Sequence, residues 1–487
     1  MSLSTALSIA QSALLNTSRQ TSVVSRNLSE ASNTDYSRRS AVLVSSDNGA
    51  RVISVQRATS EVLFRQNLSA LSSSAAQSTL QDGLDALSVD VYGAEHSTSA
   101  ATAMGQFQEA LQTYSANPSS GNVAETVLEA AKQVVNVLNA GSDAIQSFRS
   151  ETDRNILSSV NQLNSLLADF KKSNDEVVAG TRMGRDVNDA LDQRDSLLKK
   201  ISELVPVNAI GREDSDLMLV TTSGATLFEK VPREVTFSPT TSFSPGSTGK
   251  GIFIDGVPIP AGSGGNTSAD GKLAAMLQLR DDVSTKMQSQ LDEIARGLIT
   301  TFAETDPSGV SAAAPGLFTW PGAPGIPAMG APGSVGLAQL VSINAAYDSA
   351  QGGDPKLLRD GGANGAAYKW NTGGGASYTN LLLDYAQRME QPMAFDSAAG
   401  IQANISLSNY STETIGWFES VRQDSSRAVE AKTALSSRTQ EALSNATGVN
   451  IDEEMTLMLD LEHTYQASAR LIRTVDDMLG ALLDAVG

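Results

Sequence analysis

Side chains able to carry out covalent or metal chemistry are scarce in this sequence of 487 residues. It contains no cysteine, which excludes disulfides, thiolate nucleophiles and Cys-ligated zinc. Its two histidines, His96 and His463, are too few for most histidine metal sites or for histidine general-base catalysis. We expect His463 to occupy a solvated helix position and His96 to lie in a loop, so neither is a favoured ligand.

Residues 246–251 (GSTGKG) resemble part of a phosphate-binding loop. The Walker A pattern needs glycine at the position of Ser244 and serine or threonine at that of Gly251, and it must open a helix after a strand. Neither position fits, so we predict a turn. No cofactor fingerprint is present, and the sequence predicts neither a cofactor nor an enzymatic activity.

The densest charged cluster is Asp192-Gln193-Arg194-Asp195, for which we predict a local salt bridge at a domain joint in preference to acid–base catalysis. Elsewhere the acidic residues are dispersed. They number 54 against 35 basic residues, which gives a net charge of −19. This excess argues against binding to nucleic acid or to an anionic membrane surface.

The elements that would position these residues are long helices, beginning with one at the start of the chain. Apolar or small residues recur there at alternating steps of four and three. Because this period is shorter than that of the α-helix, it predicts a left-handed coiled seam. The seam consists of Leu3, Leu7, Ala10, Leu14, Thr17, Thr21, Val24 and Leu28.

A second seam of the same kind ends the chain, with Glu454 and Ser468 as its polar members. Asn450 with Glu453 predicts the N-cap of this helix, and acidic residues in the first turn suit its positive end. Gly448 is predicted to be the C′ glycine that closes the preceding helix. The apolar members are Ile451, Met458, Leu461, Tyr465, Ile472, Val475, Leu479, Leu482 and Val486.

The two chain ends carry opposite charge. Residues 1–66 hold seven arginines and four acids, a balance of +3, whereas residues 449–487 hold two arginines and eight acids, a balance of −6. We predict that the two helices pair; the alternative is two independent surface helices on a globular core. One pair cannot bury both seams and their flanking apolar side chains. We therefore expect sister copies to cover the remainder, and the helices to fray before assembly.

The interior of the chain predicts a mainly α (α+β overall) fold. A helical pattern from Val127 to Phe170 indicates one very long helix, and β-prone runs predict hairpins within 41–55 and 251–259. The predicted domains are a terminal helical assembly domain (1–60 and 445–487), a helical rod (61–205, 266–304 and 376–444), a small inserted β domain (206–265), and a Gly/Pro/Ala-rich loop or decoration (305–375).

No secretion leader or membrane span is recognisable. The first 18 residues lack the basic start and unbroken apolar run of a signal peptide, and no later run approaches the roughly 18–20 apolar residues of a span. We expect a soluble protein that leaves the cell, if it does, without a cleaved leader.

Four segments resemble the flagellar axial protein family, and in particular its hook-associated branch. They are residues 2–38 with Arg26-Asn27-Leu28-Ser29 and Tyr36-Ser37-Arg38, residues 54–57, the LDQRD sequence of residues 191–195, and the last 40 residues. The Asp192–Asp195 signature best separates this branch from hook protein and flagellin. The sequence departs from the family at Thr34-Asp35, where relatives commonly have Pro-Gly, and at Arg26, where they have asparagine.

This resemblance implies a structural subunit that is exported unfolded by the flagellar type III apparatus and lies between hook and filament. Its implied partners are copies of itself, the hook protein, hook-associated protein 3 and an export chaperone at the C-terminal helix, with no nucleic acid and no membrane insertion. Two alternatives stay open: another axial protein such as hook-associated protein 3, and a secreted coiled-coil adhesin or effector.

Overall fold

The computed structural model describes residues 3–46 and 49–486. Helices dominate, and strands form only small antiparallel sheets. The elements in chain order are α1 (Leu3–Ser29), β1 (Arg39–Ser46), β2 (Gly49–Arg57), α2 (Glu61–Leu87), α3 (Ala100–Ala116), α4 (Gly121–Arg182), α5 (Asn188–Leu204), β3 (Val207–Gly211), β4 (Leu217–Thr221), β5 (Thr226–Phe228), β6 (Val235–Thr236), β7 (Phe253–Ile254), β8 (Val257–Pro258), α6 (Lys272–Gln278), α7 (Ser284–Thr301), β9 (Phe318–Thr319), α8 (Leu337–Leu340), β10 (Ser342–Ile343), α9 (Leu357–Asp360), α10 (Asn380–Glu390), β11 (Met393–Ala394), β12 (Asn404–Ile405), α11 (Leu407–Thr447) and α12 (Ile451–Val486).

The longest element is α4, whose 62 residues span roughly 90 Å at about 1.5 Å per residue. Ser120 caps its start by accepting a hydrogen bond from the Val123 N–H. Buried residues recur every three or four positions from Val127 to Phe170, because α3, α5 and α7 pack along this helix. The prediction of a very long helix here is confirmed. In the part of the chain that the structure describes, no helix has both the length and the apolar character needed to cross a membrane.

Two apolar cores surround the two halves of α4. The first is formed with α2, α3, α7, α10 and α11 and centres on Phe302, whose ring centroid lies 5.1 Å from that of Phe107 and 5.3 Å from that of Phe318. The second is formed with α5 and strands β3–β7, and there the ring centroids of Phe170 and Phe228 lie 5.1 Å apart. A single continuous helix therefore runs through both cores.

The β strands of residues 207–258 form two three-stranded antiparallel sheets, β3-β4-β5 and β6-β7-β8. Asp255 and Gly256 join β7 to β8 with φ values of 49° and 80°, the left-handed conformations that a two-residue type I′ turn requires. Pro258 pairs with Phe253 on the edge strand β8, where a missing N–H does no harm. Both the predicted 251–259 hairpin and the edge position of Pro258 are confirmed. The β1–β2 hairpin is also present; Asn48 of its predicted turn lies outside the described residues.

The glycine-rich loop at residues 244–251 wraps around two buried arginines. Arg149 donates to the carbonyls of Ser244 (3.3 Å) and Ser247 (2.7 Å), and Arg280 donates to that of Lys250 (2.8 Å). The predicted turn is present, since the Ser247 N–H donates to the Ser244 carbonyl at 2.9 Å. The loop turns carbonyls toward fixed guanidinium groups and does not open a helix, so it lacks the arrangement of a phosphate loop.

Residues 305–375, predicted to be a Gly/Pro/Ala-rich loop or decoration, contain only short elements. Despite this loop-like character, the segment closes the first core. Glu304, at its start, is buried and accepts hydrogen bonds from the backbone N–H groups of Gly362, Ala363 and Asn364 at 2.8–2.9 Å. The apolar side chains of residues 305–375 are buried against α4 and α7. Those that are almost completely buried are Leu317, Phe318, Leu337, Ala338, Val341, Tyr347 and Leu358.

Asp292 of α7 holds the same segment at a second point. Its carboxylate accepts hydrogen bonds from the N–H groups of Gly336 (2.8 Å) and Ala338 (2.9 Å) at the start of α8, and from the Gln288 side chain. Desolvation by burial outweighs these bonds and raises the pKa of Asp292 to about 6. The folded protein therefore binds a proton that the unfolded chain has released once pH exceeds the ordinary value of 3.8.

We predict that Asp292 makes the protein less stable as pH rises from about 4 through 6. Below this range the carboxyl is protonated in both states, and above it the folded state must hold a buried charge. Denaturant unfolding of the wild type and Asp292→Asn across pH 4–8 measures the effect, and the variant should show a smaller loss of stability. Asp175→Asn, at an exposed carboxylate, is the control. Equal pH slopes for the wild type and Asp292→Asn would contradict the assignment.

Candidate assembly interface at the chain ends

Helices α1 and α12 pack along each other, with their seams facing. All eight predicted seam positions of α1 are buried or half-buried, and Ala10, Thr17 and Val24 are the most enclosed. On α12 the enclosed positions are Met458, Leu461, Ser468, Ile472, Val475 and Leu479. The predicted pairing of the chain ends is confirmed, and the alternative of two independent surface helices is wrong.

Three predicted seam residues of α12 are exposed: Ile451 (55%), Tyr465 (45%) and Leu482 (51%). Helix α1 does not cover these three side chains, and their role at the assembly interface stays a prediction. Ile451 precedes the buried Glu454, which lies opposite the end of α1. The helices are antiparallel, and Asn27 of α1 contacts Glu454 of α12. Counting along both helices from this contact places Leu3 about level with residue 478. Leu482 therefore extends past the described part of α1. The side chain of Val486 is outside the described residues.

Sequence reasoning did not name the exposed apolar residues that flank the seam of α12, although it required covering for flanking side chains. Large apolar residues beside the seam are exposed by 40–74% of their surface. The signal that could have identified them is that apolar residues in this helix are too numerous for one narrow seam. They are Met455, Leu457, Leu459, Leu471, Met478 and Leu483.

A buried asparagine joins the base of the helix pair. The Asn27 side chain, at the end of α1, donates to the Arg39 carbonyl (2.8 Å) and to Glu454 Oε2 (3.0 Å). Its Oδ1 accepts hydrogen bonds from the Tyr36 hydroxyl (2.8 Å) and from the Arg39 N–H (3.0 Å). All four hydrogen-bonding positions of the amide are thus occupied. The bonds connect α1, the following loop, β1 and α12.

Glu454 is the acidic partner in this network and is only 1% exposed. Arg38 Nε donates to its other oxygen at 2.6 Å, and the Arg38 N–H donates to the Thr447 carbonyl at the end of α11 (2.7 Å). A carboxylate so far from water needs such partners, because desolvation of a charge is costly. One carboxylate therefore ties the chain's beginning to its end.

The caps between α11 and α12 agree only partly with prediction. Asn450 Oδ1 accepts from the N–H groups of Asp452 (3.0 Å) and Glu453 (3.3 Å), so the predicted N-cap is confirmed. Gly448 closes α11 with φ −79° and ψ 178°. The prediction of a C′ glycine is wrong, since the C′ position takes the left-handed conformation. Here the chain is extended because it must lead straight into the next cap.

The hairpin is fastened to α1 by Asn16. Its Nδ2 donates to the Ala50 carbonyl and its Oδ1 accepts from the Val52 N–H (3.0 Å). The side-chain amide thus takes the place of a neighbouring strand along one edge of β2, which protects that edge. Arg19 adds a weaker bond to the Val52 carbonyl at 3.4 Å.

The Asp192–Asp195 cluster lies where the β1–β2 hairpin meets α5. We call the following ionic network the joint clamp. Asp192 accepts from Arg39 (2.9 Å) and Arg57 (2.8 Å), Asp195 pairs with Arg57, and Asp189 accepts from Arg39 (2.5 Å) and Arg26 (2.6 Å). The hydrogen bond from Arg26, joined by that from Arg39, lowers the pKa of Asp189.

The joint clamp connects three arginines of the first 57 residues to three aspartates of α5, and the predicted salt bridge is present. Arg194 turns away from the clamp and donates to Asn174 Oδ1 (3.0 Å) and the Ser215 carbonyl (2.6 Å). Gln193 is exposed. Arg26, a departure from the family pattern, belongs to the clamp.

Two protein-family models match the chain. The flagellar hook-associated protein FlgK helical domain matches residues 87–317, and the flagellar basal body rod FlgEFG protein C-terminal model matches residues 439–485. The first match includes the three aspartates of the clamp, and the second includes nearly all of α12.

Curated proteins named flagellar hook-associated protein 1 are also similar. The Bacillus subtilis protein is 21% identical over 417 residues, covering 79% of this chain and 76% of its own length. The Salmonella typhimurium protein is 24% identical over 218 residues, covering 42% of this chain and 39% of its own. The solved structure of the flagellar hook junction protein FlgK from Burkholderia pseudomallei aligns with a TM-score of 0.41 at 21% identity, over 53% of this chain and 46% of that one.

We predict that Asn27→Ala loosens the base of the helix pair. It leaves Glu454 and the Tyr36 hydroxyl short of partners, and breaking a buried polar network in this way costs about 3 kcal/mol. Hydrogen exchange of the amides in β1 and the first turns of α12 should accelerate on the order of 100-fold. Asn33→Ala removes an exposed side chain that bonds Glu30 and is the control. Equal exchange in both variants would refute the role of Asn27.

We predict that Arg57 and Asp192, both nearly buried, are energetically coupled. A double-mutant cycle with Arg57→Ala and Asp192→Ala, measured by denaturant unfolding, should give a coupling energy of roughly 1–3 kcal/mol. The exposed pair Arg422–Asp85 is the matched control and should couple by less than about 1 kcal/mol. If the buried pair coupled no more strongly than the exposed pair, the joint clamp would have no structural role.

Proposed function

We propose that this chain, a member of the flagellar hook-associated protein family, forms the junction between hook and filament by packing its terminal helices against those of neighbouring subunits. The observation that carries the proposal is the set of exposed apolar residues that flank the seam of α12. They recur along the helix from Met455 to Leu483, whereas single exposed apolar residues would need no explanation. So many exposed apolar side chains on one helix are covered only when other helices lie against it.

The division between intrachain and interchain contacts supports this function. Helix α1 buries one side of α12, and the joint clamp fixes the pair to the rod. The apolar residues on the flanks of the α12 seam stay exposed in the single chain. Since these flanks are open, each copy can meet unlike surfaces of its neighbours, a contact that builds rings and tubes.

The partners we propose are copies of this chain, the hook protein on one side and hook-associated protein 3 on the other, with an export chaperone on α12 before assembly. An acidic helix with exposed apolar residues supports the chaperone proposal, because such a surface needs covering until subunits meet. Fraying of the outer part of the helix pair before assembly stays a prediction. We propose a purely structural role without a catalytic step; the matches do not support the adhesin or effector alternative.

Substitutions in the seam test the assembly role. Leu14→Asp with Leu479→Asp places charges at two half-buried seam positions, so the helix pair should not form a stable surface for neighbours. We expect the variant to be exported with a folded rod, and cells to be non-motile. Swimming assays, electron microscopy of hooks, and circular dichroism of the purified variant provide the measurements.

Leu383→Asp changes a residue of α10 that is 55% exposed and is the matched control, with normal motility expected. Gene deletion should give bare hooks and unpolymerised flagellin in the medium. Full motility of the double seam variant would contradict assembly through the terminal helices, and intact filaments after deletion would contradict the junction role itself.

A further inference from the structure

A large cleft lies beside the joint clamp. It encloses about 870 Å³ between the loop of residues 30–37, the start of α2, helix α5, strands β3 and β4, and the end of α11. Phe64, Leu68, Leu198 and Leu443 contribute apolar surface to it. A concave site with an apolar lining and a few polar groups is the usual form of a binding site, and neither the helix pair nor the clamp fills it.

Arg194 is a buried cation in the lining of this cleft. It is only 6% exposed, and no carboxylate in the described part of the chain lies within 4 Å of its guanidinium. Its two bonds go to neutral oxygens of Asn174 and Ser215, and its Nε has no partner. Desolvation lowers the pKa of Arg194 to about 10. Because the unpartnered Nε is itself buried from solvent, the preference of Arg194 for an incoming carboxylate rests on its guanidinium having only neutral partners.

The other basic residues of the cleft, apart from Arg65, already have acidic partners, so Arg194 is the buried cation that an incoming carboxylate would meet. Arg57, Lys199 and Arg212 are each paired with aspartates of the same cleft. Glu61 belongs to the first turn of α2, where it complements the helix dipole, and Glu30 accepts a hydrogen bond from Asn33. Arg65 is exposed and, among the described residues, has no acidic partner.

The chain carries a segment of complementary chemistry at the far end of α12. Asp476, Asp477 and Asp484 are exposed there without ion pairs among the described residues. They flank Met478, which is 51% exposed, and Leu483, which at 74% is the most exposed large apolar residue of this helix. The segment thus combines carboxylates with apolar side chains, as the cleft requires.

This segment cannot enter the cleft of its own chain. Helix α12 begins at Ile451, two residues after Val449 in the cleft lining, and runs away from the cleft along α1. At about 1.5 Å per residue, Met478 lies roughly 40 Å along the helix from Ile451. Any occupation of the cleft by this segment therefore joins two molecules.

We propose that the cleft at the clamp binds the acidic C-terminal end of α12 from a second copy of this chain, with Arg194 receiving an aspartate carboxylate. This inference rests on the proposed function, because it makes the contact one of the head-to-tail contacts of the assembled junction. It differs from seam packing, since it uses the rod of one copy and the helix end of another.

Cross-linking in isolated flagella tests this contact, and the natural absence of cysteine makes introduced cysteines unique. Ile210, in the cleft lining, is 48% exposed. The double variant Ile210→Cys with Leu483→Cys should give a ladder of cross-linked oligomers with a short bifunctional maleimide. Leu383→Cys with Leu483→Cys places the first cysteine on α10 at similar exposure and should give none. Normal filaments of the first variant without a ladder overturn the proposal.

A peptide of residues 470–486 provides a second measurement on the purified full-length protein. Fluorescence anisotropy should show binding, and replacing Asp476 and Asp477 by asparagine in the peptide should weaken it about tenfold. Arg194→Gln in the protein should remove this difference between the two peptides. Equal binding of both peptides by the wild-type protein, or no binding of either, overturns the proposal even if the cysteine variant does not assemble. Bare hooks after gene deletion would then still support the junction function. Failure of the cleft proposal can therefore be distinguished from failure of the proposed function.

Discussion

The structure depends on keeping one carboxylate, Glu454, satisfied away from water. Its partners Asn27 and Arg38 come from the other end of the chain, and Arg38 in turn bonds the end of α11 through Thr447. Because an unpaired buried charge is strongly unfavourable, the end of α1, its loop and the α11–α12 turn must assemble together or not at all. This requirement fixes the register of α1 against α12. Heptad packing alone would not fix it, because two heptad seams can pair in more than one register.

Ion pairs fix the orientation of this helix pair relative to the rest of the chain. The joint clamp connects α1 and the hairpin to α5, and α5 packs along α4, the helix on which both apolar cores are built. Each exposed ion pair contributes little, but Arg39, Arg57 and Asp192 are largely removed from solvent and share partners. The direction in which the helix pair leaves the rod is thus set by a network with several fixed points.

Most predictions that rested on a local signal are correct. The heptads of α1, the Asn450 cap, the long α4 and the turn at Asp255-Gly256 all follow from residues within a few positions of one another. The conformation of Gly448 is the local exception, and what else could not be predicted concerns contacts between distant segments. Ile451 and Tyr465 fit the heptad but are exposed, because the buried Glu454 occupies the first turn of the seam and α1 uses Asn16 to hold the hairpin. Likewise, no local pattern indicates that residues 305–375 close a core through Glu304.

Helix α12 therefore makes contacts within its own chain and also presents apolar residues to other chains. One side is used within the chain and is closed by α1, whereas apolar side chains on its flanks are exposed and extend beyond the described part of α1. A marginal helix pair gains order only from further packing. Its excess of exposed apolar residues is unfavourable in the single chain, and the same excess favours the addition of the subunit to a growing structure. The net charge of −19 opposes indiscriminate contact between copies. Productive association then requires surfaces that match in detail, such as an unpaired buried cation facing an acidic helix end.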